Sequence, residues 1–120
     1  MYRFADNVVE TSTATTTGAY QLAGVPSGAE PGARTFVAGV GDGNSCDYYA
    51  KEVSGTAWER GIGTVTDAAT DTLTRTAVHS SSNGGAAVDW TGKTVEISAV
   101  LPARRLATDH AGLVENLTIT

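Results

Sequence analysis

The side chains that could perform catalysis are few and widely spaced in this chain of 120 residues. His79 stands directly before a run of serines at 80–82, and His110 follows Asp109. A serine nucleophile needs a rigid turn, a histidine base within reach and a carboxylate that orients the histidine. A serine-rich loop offers no such rigidity, so the pattern predicts surface or loop positions for both histidines.

A pair of carboxylates could cleave a glycan if the two faced each other across a cleft. Glu52 and Glu59 fall on one face of a predicted hairpin, and this alternation indicates a solvated face rather than a catalytic pair. We therefore expect a protein that is not an enzyme and that has no catalytic residues.

Two short motifs resemble ligand-binding loops but lack essential parts. Gly92-Lys93-Thr94 ends like a phosphate loop, yet Ala87 replaces the first glycine and a strand is predicted to follow instead of a helix. The segment 42–47 alternates oxygen-bearing side chains as a calcium loop does, but it lacks the required glycine and the bidentate glutamate. We expect two ordinary turns here, no cofactor and no metal, although a weak structural cation at 42–47 stays open.

The two tryptophans are the candidates for contact with a ligand. Trp58 beside Tyr49 could form a platform that stacks on the apolar face of a sugar, but a core anchor is the favoured interpretation of Trp58. Trp90 lies near a loop and is predicted to be the more exposed contact residue.

The charge balance argues against some partners. The chain has 13 acidic and 8 basic residues and a net charge of −5, whereas a protein that follows a nucleic-acid backbone needs a basic face. No apolar run suggests a signal peptide or a membrane span, so we expect no membrane insertion and initial folding in a reducing cytoplasm. Cys46 is the single cysteine and is expected to be a small core filler or a free loop thiol.

Short alternating segments separated by turn residues run through the whole chain and predict an all-β fold. The 14 glycines and the many threonines favour turns and pleated strands over helices. We predict a small antiparallel β-sandwich or barrel of seven to eight short strands over residues 1–102, and a C-terminal arm or short helix over 103–120. The predicted strands are 8–17, 19–23, 34–40, 47–53, 56–62, 72–78 and 93–101, and 113–120 is an arm or a further strand.

The clearest hairpin is closed by Ser54-Gly55. A two-residue loop there places Lys51 opposite Trp58 and Tyr49 opposite Arg60. One face then alternates cations with aromatic rings, and the pattern leaves open which face is buried. The glycines of Gly61-Ile62-Gly63 predict a bulge or close packing, and Asn83-Gly84 predicts a turn.

The middle of the chain resembles a β-rich module of tailed-bacteriophage virion proteins. The ordered motifs are Tyr48-Tyr49, 55–65 (GTAWERGIGTV), 71–78 (DTLTRTAV) and 81–88 (SSNGGAAV), preceded by a threonine-rich strand and by Arg34-Thr35-Phe36. We call these motifs the module signature. Modules of this kind occur in tail-fibre, head-fibre and adsorption-apparatus proteins.

The resemblance implies a virion structural protein: an adaptor, decoration or fibre-base component that docks on a capsid or tail through protein–protein contacts. It implies a virion location, repeated or homo-oligomeric copies and no catalytic residues. The alternative is a carbohydrate-binding module that recognises a host surface glycan through Trp58 or Trp90. The candidate interaction residues are Trp90, Arg104, Arg105, Leu113, Val114, Leu117 and Ile119.

Overall fold

A computed structural model describes residues 1–13 and 16–101. Six strands form one antiparallel sheet: β1 (Val9–Ser12), β2 (Tyr20–Gln21), β3 (Ser45–Glu52), β4 (Trp58–Thr66), β5 (Thr72–Ser81) and β6 (Val95–Ala99). One short helix, α1 (Phe36–Gly39), lies between β2 and β3. The all-β prediction is confirmed, with six strands in the sheet of the described residues instead of seven or eight.

The sheet curls into a nearly closed barrel. The strands are ordered β1-β6-β3-β4-β5-β2, so the two edge strands are β1 and β2. These edges meet at a bridge between Ser12 and Leu22, and two backbone hydrogen bonds join Thr11 to Ala23 and Gly24 at 2.8 and 3.0 Å. Because each edge finds a partner, the backbone groups that an open edge would expose are paired there.

The interior is filled by inward-facing residues of the strands, together with side chains from α1 and from the loop between β5 and β6. Its largest fully buried side chains include Trp90, Tyr20, Tyr48 and Phe36. Aliphatic residues such as Leu73 complete the packing. The described helices include none long and apolar enough to span a membrane.

The β3–β4 hairpin has the predicted register. Lys51 pairs with Trp58 and Tyr49 with Arg60. The structure also decides which face is buried: Tyr48 and Ala50 are fully buried, whereas the face with cations and aromatic rings points outward. The buried face also carries the carboxylate of Glu59, which is 0% exposed.

Two register shifts interrupt the β4–β5 ladder beside the two glycines of β4. They lie between Arg60 and Gly61 and between Ile62 and Gly63. A Cβ at Gly61 would overlap the carbonyl oxygen of Ala77, and one at Gly63 would lie 2.6 Å from the Leu73 side chain. The prediction of a bulge with close packing at these glycines is confirmed, since the neighbouring strand leaves no room for a side chain.

The strand predicted at 34–40 is wrong, because this segment contains α1. Thr35 is its N-cap, with an extended backbone and a side-chain oxygen that accepts a hydrogen bond from the Ala38 N–H at 3.1 Å. The buried carboxylate of Glu10 accepts a second bond, from the Phe36 N–H at 2.7 Å. Capping and the burial of Phe36 outweigh the β propensity of the valines.

Residues 1–101 supply the β domain, apart from positions 14 and 15. The predicted arm or short helix at 103–120 lies outside the described residues and stays a prediction.

Candidate functional site

The barrel interior is organised around the buried carboxylate of Glu59. Its Oε2 accepts hydrogen bonds from the hydroxyls of Tyr20 and Tyr48, at 2.7 and 2.5 Å, and from Nε of Arg75 at 2.9 Å. Its Oε1 accepts one from a terminal nitrogen of Arg75 and one from the Val88 N–H at 2.8 Å. Five donors therefore surround one carboxylate that is 0% exposed.

The hydrogen-bond donors of Arg75 are also fully paired. Beyond its bonds to Glu59, its terminal nitrogens donate to the carbonyl oxygens of Thr16, Gly18 and Val88 at 3.0, 3.2 and 2.8 Å. The guanidinium thus uses all five of its N–H groups, and it lies 4.8 Å from the centre of the Tyr20 ring. We call Glu59, Arg75, Tyr20 and Tyr48 the central network.

The pKa values in the central network follow from this arrangement. Burial alone would raise the pKa of Glu59, but the hydrogen bonds from Arg75, Tyr20, Tyr48 and the Val88 N–H together hold it below its ordinary value. Burial and the neighbouring carboxylate raise the pKa of both tyrosine hydroxyls. Glu59 therefore stays ionised and the tyrosines stay protonated at neutral pH.

Each member of the network is contributed by a different strand. Tyr20 comes from β2, Tyr48 from β3, Glu59 from β4 and Arg75 from β5. The loop after β5 adds the Val88 backbone. A charge pair with this many partners ties four of the six strands and one loop together, and it has no free acceptor position for a substrate.

The prediction that Glu59 shares a solvated face with Glu52 is wrong. Glu59 is fully buried, whereas Glu52 is half-buried and forms an ion pair with Lys93 at 3.6 Å. The alternation of residues along β5 could have indicated that Arg75 points inward. Threonines at 72, 74 and 76 alternate with Leu73 and Arg75, so Arg75 lies on the same face of the strand as the buried Leu73. A buried cation requires an anion, and Glu59 is the acidic residue of the neighbouring strand's inward face.

The burial of the two tryptophans is the reverse of what was predicted, because Trp90 is the buried one and Trp58 is the more exposed one. Trp90 is 0% exposed and its indole N–H donates to the Tyr20 hydroxyl at 3.2 Å, so the prediction of an exposed contact residue is wrong. Trp58, favoured as a core anchor, is half-buried on the outer face of β4. The loop around Trp90 folds inward because the central network offers the indole a hydrogen-bond acceptor.

Glu10 forms a second buried carboxylate site on β1. Its two oxygens accept from the backbone N–H groups of Gly24 and Phe36 at 3.0 and 2.7 Å. Burial raises the pKa of Glu10, and these two bonds offset part of that rise. The carboxylate joins β1 to the segment after β2 and to α1, so this acidic residue also has a structural use.

The outer face of the hairpin holds the most distinctive surface cluster. The guanidinium of Arg60 lies 5.1 Å from the ring centre of Tyr49 and 5.4 Å from that of Trp58. We call these three residues the outer cluster. Within the described part of the chain, the three ion pairs join Lys51 to Glu96, Arg75 to Glu59 and Lys93 to Glu52, and none includes Arg60.

The candidate ligand motifs adopt ordinary local structure. Gly92 has a positive φ of 74° in a turn that precedes β6. The turn is not part of a hairpin, because β5 and β6 are not neighbours in the sheet. Asp42 accepts a hydrogen bond from the Asp67 N–H at 2.9 Å. In residues 1–13 and 16–101 no group of three His, Cys, Asp or Glu side chains is placed to hold a metal ion.

The remaining candidate side chains are placed as follows. His79 is exposed near the end of β5, and the serines at 80 and 81 belong to that strand instead of a loop. Cys46 is buried in the core, where burial and Asp47 raise the pKa of its thiol to about 12. The position of Cys46 in the buried core confirms the filler interpretation.

A shallow polar groove of about 400 Å³ lies between the loop 26–30 and the outer side of β1 and β6. Its lining includes Asn7, Glu30, Glu96 and Ser98. The candidate interaction residues Arg104, Arg105, Leu113, Val114, Leu117 and Ile119 lie outside the described residues.

Comparison with known proteins returns no relative: no family model, no curated protein and no solved structure matches this chain.

Proposed function

We propose that this protein is a structural component of a tailed-bacteriophage particle. It acts as an adaptor, decoration or fibre-base protein that docks on a capsid or tail through protein–protein contacts. Its place is the virion, where it is present in many copies or as a homo-oligomer. Neither nucleic acid nor a membrane is a partner in this proposal.

The observation that carries the proposal is where the module signature falls in the fold. Tyr48, Glu59, Arg75 and Val88 come from four separate motifs of the signature and meet in one buried hydrogen-bonded cluster. The hydrogen bonds among these four residues hold separate strands of the barrel together. The sequence pattern that resembles phage virion proteins thus encodes a scaffold, which is what an assembly protein requires.

The outer cluster supports docking through a protein contact. Trp, Tyr and Arg are the residue types that contribute most to binding at protein interfaces. Here the three occur together on the outside of the sheet, at positions where the barrel's own packing does not need them. A neighbouring protein that covered Tyr49, Trp58 and Arg60 would bury the part of the two half-buried rings that still faces water.

Purified particles provide the test of the proposal. Particles of a phage that encodes this chain, banded twice in a density gradient, should contain its peptides by mass spectrometry. Its presence in the lysate but absence from the banded particles would contradict the virion assignment.

The predicted arm at 103–120 belongs to the same proposal. Terminal arms can add a strand to a neighbouring sheet and so gain backbone hydrogen bonds. Deleting 103–120 is expected to leave a folded domain that no longer enters particles, measured by circular dichroism and by particle mass spectrometry. Normal incorporation of the shortened chain would remove the arm from the docking mechanism.

A carbohydrate-binding module is the second candidate, and it now rests on Trp58 because Trp90 is buried. The half-buried Trp58 ring could stack on a sugar, although the Arg60 guanidinium already lies near that ring. This candidate predicts that Trp58→Ala abolishes binding on a glycan array while the circular dichroism spectrum is unchanged. An array with no bound glycan for the unaltered protein would exclude it.

A further inference from the structure

The loop between β5 and β6 begins with a tight turn at 83–86. The carbonyl oxygen of Asn83 accepts a hydrogen bond from the Ala86 N–H at 3.2 Å, and the two central residues, Gly84 and Gly85, have φ of 65° and 90°. Positive φ at both central positions is the geometry of a type I′ turn, which glycine adopts without strain. All four residues are exposed, so water reaches the whole turn.

The backbone nitrogen of Gly84 is free to react. In residues 1–13 and 16–101 no acceptor receives its N–H, because the hydrogen bond of such a turn joins the two outer residues and bypasses the first central one. A Cβ at Gly84 would have nothing within 4 Å, so no neighbouring group shields the position. Glycine itself has no side chain that could block a group approaching this nitrogen.

The side chain of Asn83 carries the amide that this nitrogen can attack. Gly84 follows Asn83 directly, and a bond between its nitrogen and Cγ of Asn83 closes a ring of five atoms. The Asn83 Nδ2 donates to the Ala87 carbonyl oxygen at 3.0 Å. This bond is exposed and water competes for both of its partners, so it restrains the amide only weakly.

We propose that Asn83 is a site of spontaneous deamidation in the folded protein. The Gly84 nitrogen attacks Cγ of Asn83, so that an N–C bond forms and the bond from Cγ to Nδ2 breaks. The proton of the Gly84 N–H leaves with Nδ2 as ammonia, and a succinimide ring remains. Water from the solvent then adds to one of the two ring carbonyl carbons, which gives aspartate or isoaspartate at position 83 without oxidation or reduction. Asparagine is among the thermolabile residues of proteins.

Asn44 provides the comparison within the same chain. It is half-buried, and its Nδ2 donates to the Val40 carbonyl oxygen at 2.9 Å. The nitrogen that would attack it belongs to Ser45, whose N–H donates to the Met1 carbonyl oxygen at 2.9 Å. Because this nitrogen is held in a hydrogen bond and serine adds a side chain next to it, Asn44 should stay intact while Asn83 reacts.

The modification should loosen the loop that supplies Val88 to the central network. A carboxylate at position 83 cannot donate to the Ala87 carbonyl oxygen, and isoaspartate lengthens the main chain by one carbon within the turn. Val88 follows Ala87 directly and donates its N–H to Glu59 at 2.8 Å. The modified chain also carries one more negative charge than the −5 of the sequence. This inference goes beyond the proposed function and does not depend on it.

Mass spectrometry of the purified full chain tests the proposal. The protein is incubated at mildly alkaline pH beside a synthetic peptide of residues 76–93, and trypsin releases the same segment from the protein because it follows Arg75 and ends at Lys93. In the folded protein this segment should gain one mass unit at a rate within tenfold of the free peptide, and chromatography should separate two products of equal mass. An unaltered mass in the folded protein after the free peptide has fully converted overturns the proposal. Conversion of Asn44 at the same rate does so as well.

Substitutions in the turn identify the attacking nitrogen. Gly84→Ala places a methyl group beside this nitrogen and should slow the mass gain at least tenfold. Gly85→Ala introduces the same side chain at the other residue with positive φ and should leave the rate within twofold. Asn83→Gln would need a six-membered ring and should lose the mass gain. Circular dichroism must show that each variant is folded, and a rate that Gly84→Ala leaves unaltered contradicts the proposed attack.

Thr35→Ala separates reaction in the folded turn from reaction in transiently unfolded chains, because it lies at the cap of α1 and outside this loop. Its lower stability should raise the unfolded population about fivefold, yet the rate at Asn83 should be unchanged. A rate that rises in proportion to the unfolded population overturns the proposal. The fully converted protein should also unfold at a lower temperature than the fresh protein, and equal midpoints would overturn the inferred effect on the loop.

Discussion

Glu59 and Arg75 are an ion pair whose stability depends on complete hydrogen bonding. Their side chains are 0% and 4% exposed. Removing two charges from water is costly, and the cost is recovered when every remaining donor and acceptor is paired. The two tyrosine hydroxyls and the backbone groups of Thr16, Gly18 and Val88 supply that pairing, so the loss of either charge leaves its partner buried without compensation.

Glu59→Gln should lower the free energy of unfolding by about 3–5 kcal/mol, because it leaves the guanidinium of Arg75 buried without its anion. Urea denaturation followed by circular dichroism measures the change. Glu52→Gln is the matched control, because it removes the same charge from the more exposed Glu52–Lys93 pair and should cost about 0–1 kcal/mol. Equal losses for the two variants would contradict the central role of Glu59.

The pH dependence of stability should also report Glu59. Its folded-state pKa lies below the ordinary value of 4.5, so an unfolded chain takes up this proton first on acidification. The contribution of Glu59 is therefore complete above pH 4.5 and is lost as the pH falls through the folded-state pKa. Urea titrations between neutral and strongly acidic pH should show a gap between the unaltered protein and Glu59→Gln that narrows below pH 4.5. A gap that is constant with pH would contradict the direction of the shift.

At the residue scale, part of the central network can be predicted from the alternation of residues along a single strand. The inward position of Arg75 follows from the threonines that alternate with it, but the position of Trp90 does not follow from any local pattern. Its indole is buried because a hydroxyl from β2 lies 3.2 Å away, a contact between residues 70 positions apart.

At the scale of elements, the glycines of β4 shape the barrel. Gly61 and Gly63 stand beside the two register shifts of the β4–β5 ladder, where the strand bends and its twist increases. The neighbouring strand occupies the space that a side chain would need. The bulge was predictable from Gly61-Ile62-Gly63, whereas α1 was not, because one of the two side chains that bind its first N–H groups is Glu10 from a distant strand.

Gly61→Ala should destabilise the fold by about 1–3 kcal/mol, since its Cβ would overlap the backbone carbonyl of Ala77. Gly18→Ala is the control, as nothing lies within 4 Å of the position and its φ is not in the left-handed region. The control should be neutral or slightly stabilising because alanine restricts the unfolded chain. Thermal unfolding compares the two, and a harmless Gly61→Ala would show that the β4–β5 contact is looser than described.

Thr35→Ala tests the cap of α1. Loss of the bond to the Ala38 N–H should cost about 1 kcal/mol in unfolding free energy. Thr35→Ser, which keeps the hydroxyl, should restore most of the stability. If the two substitutions were equivalent, the hydroxyl would have no capping role.

At the scale of the whole molecule, the barrel combines an interior that leaves no acceptor free on Glu59 with an exterior that concentrates aromatic rings and a cation at one end. The all-β class and the hairpin register follow from alternation and turn residues, because both depend on neighbours in sequence. Closure of the barrel depends on Ser12 meeting Leu22 and on the central network, which are contacts between separate segments. Assembly would use the exterior and leave the interior unchanged.

The copy number in purified particles tests the virion assignment most directly. Quantitative mass spectrometry with isotope-labelled peptides should give a fixed ratio of this chain to the major shell or tail protein in independent preparations, as a symmetric particle requires. A trace amount that varies between preparations, or complete absence, would contradict the account.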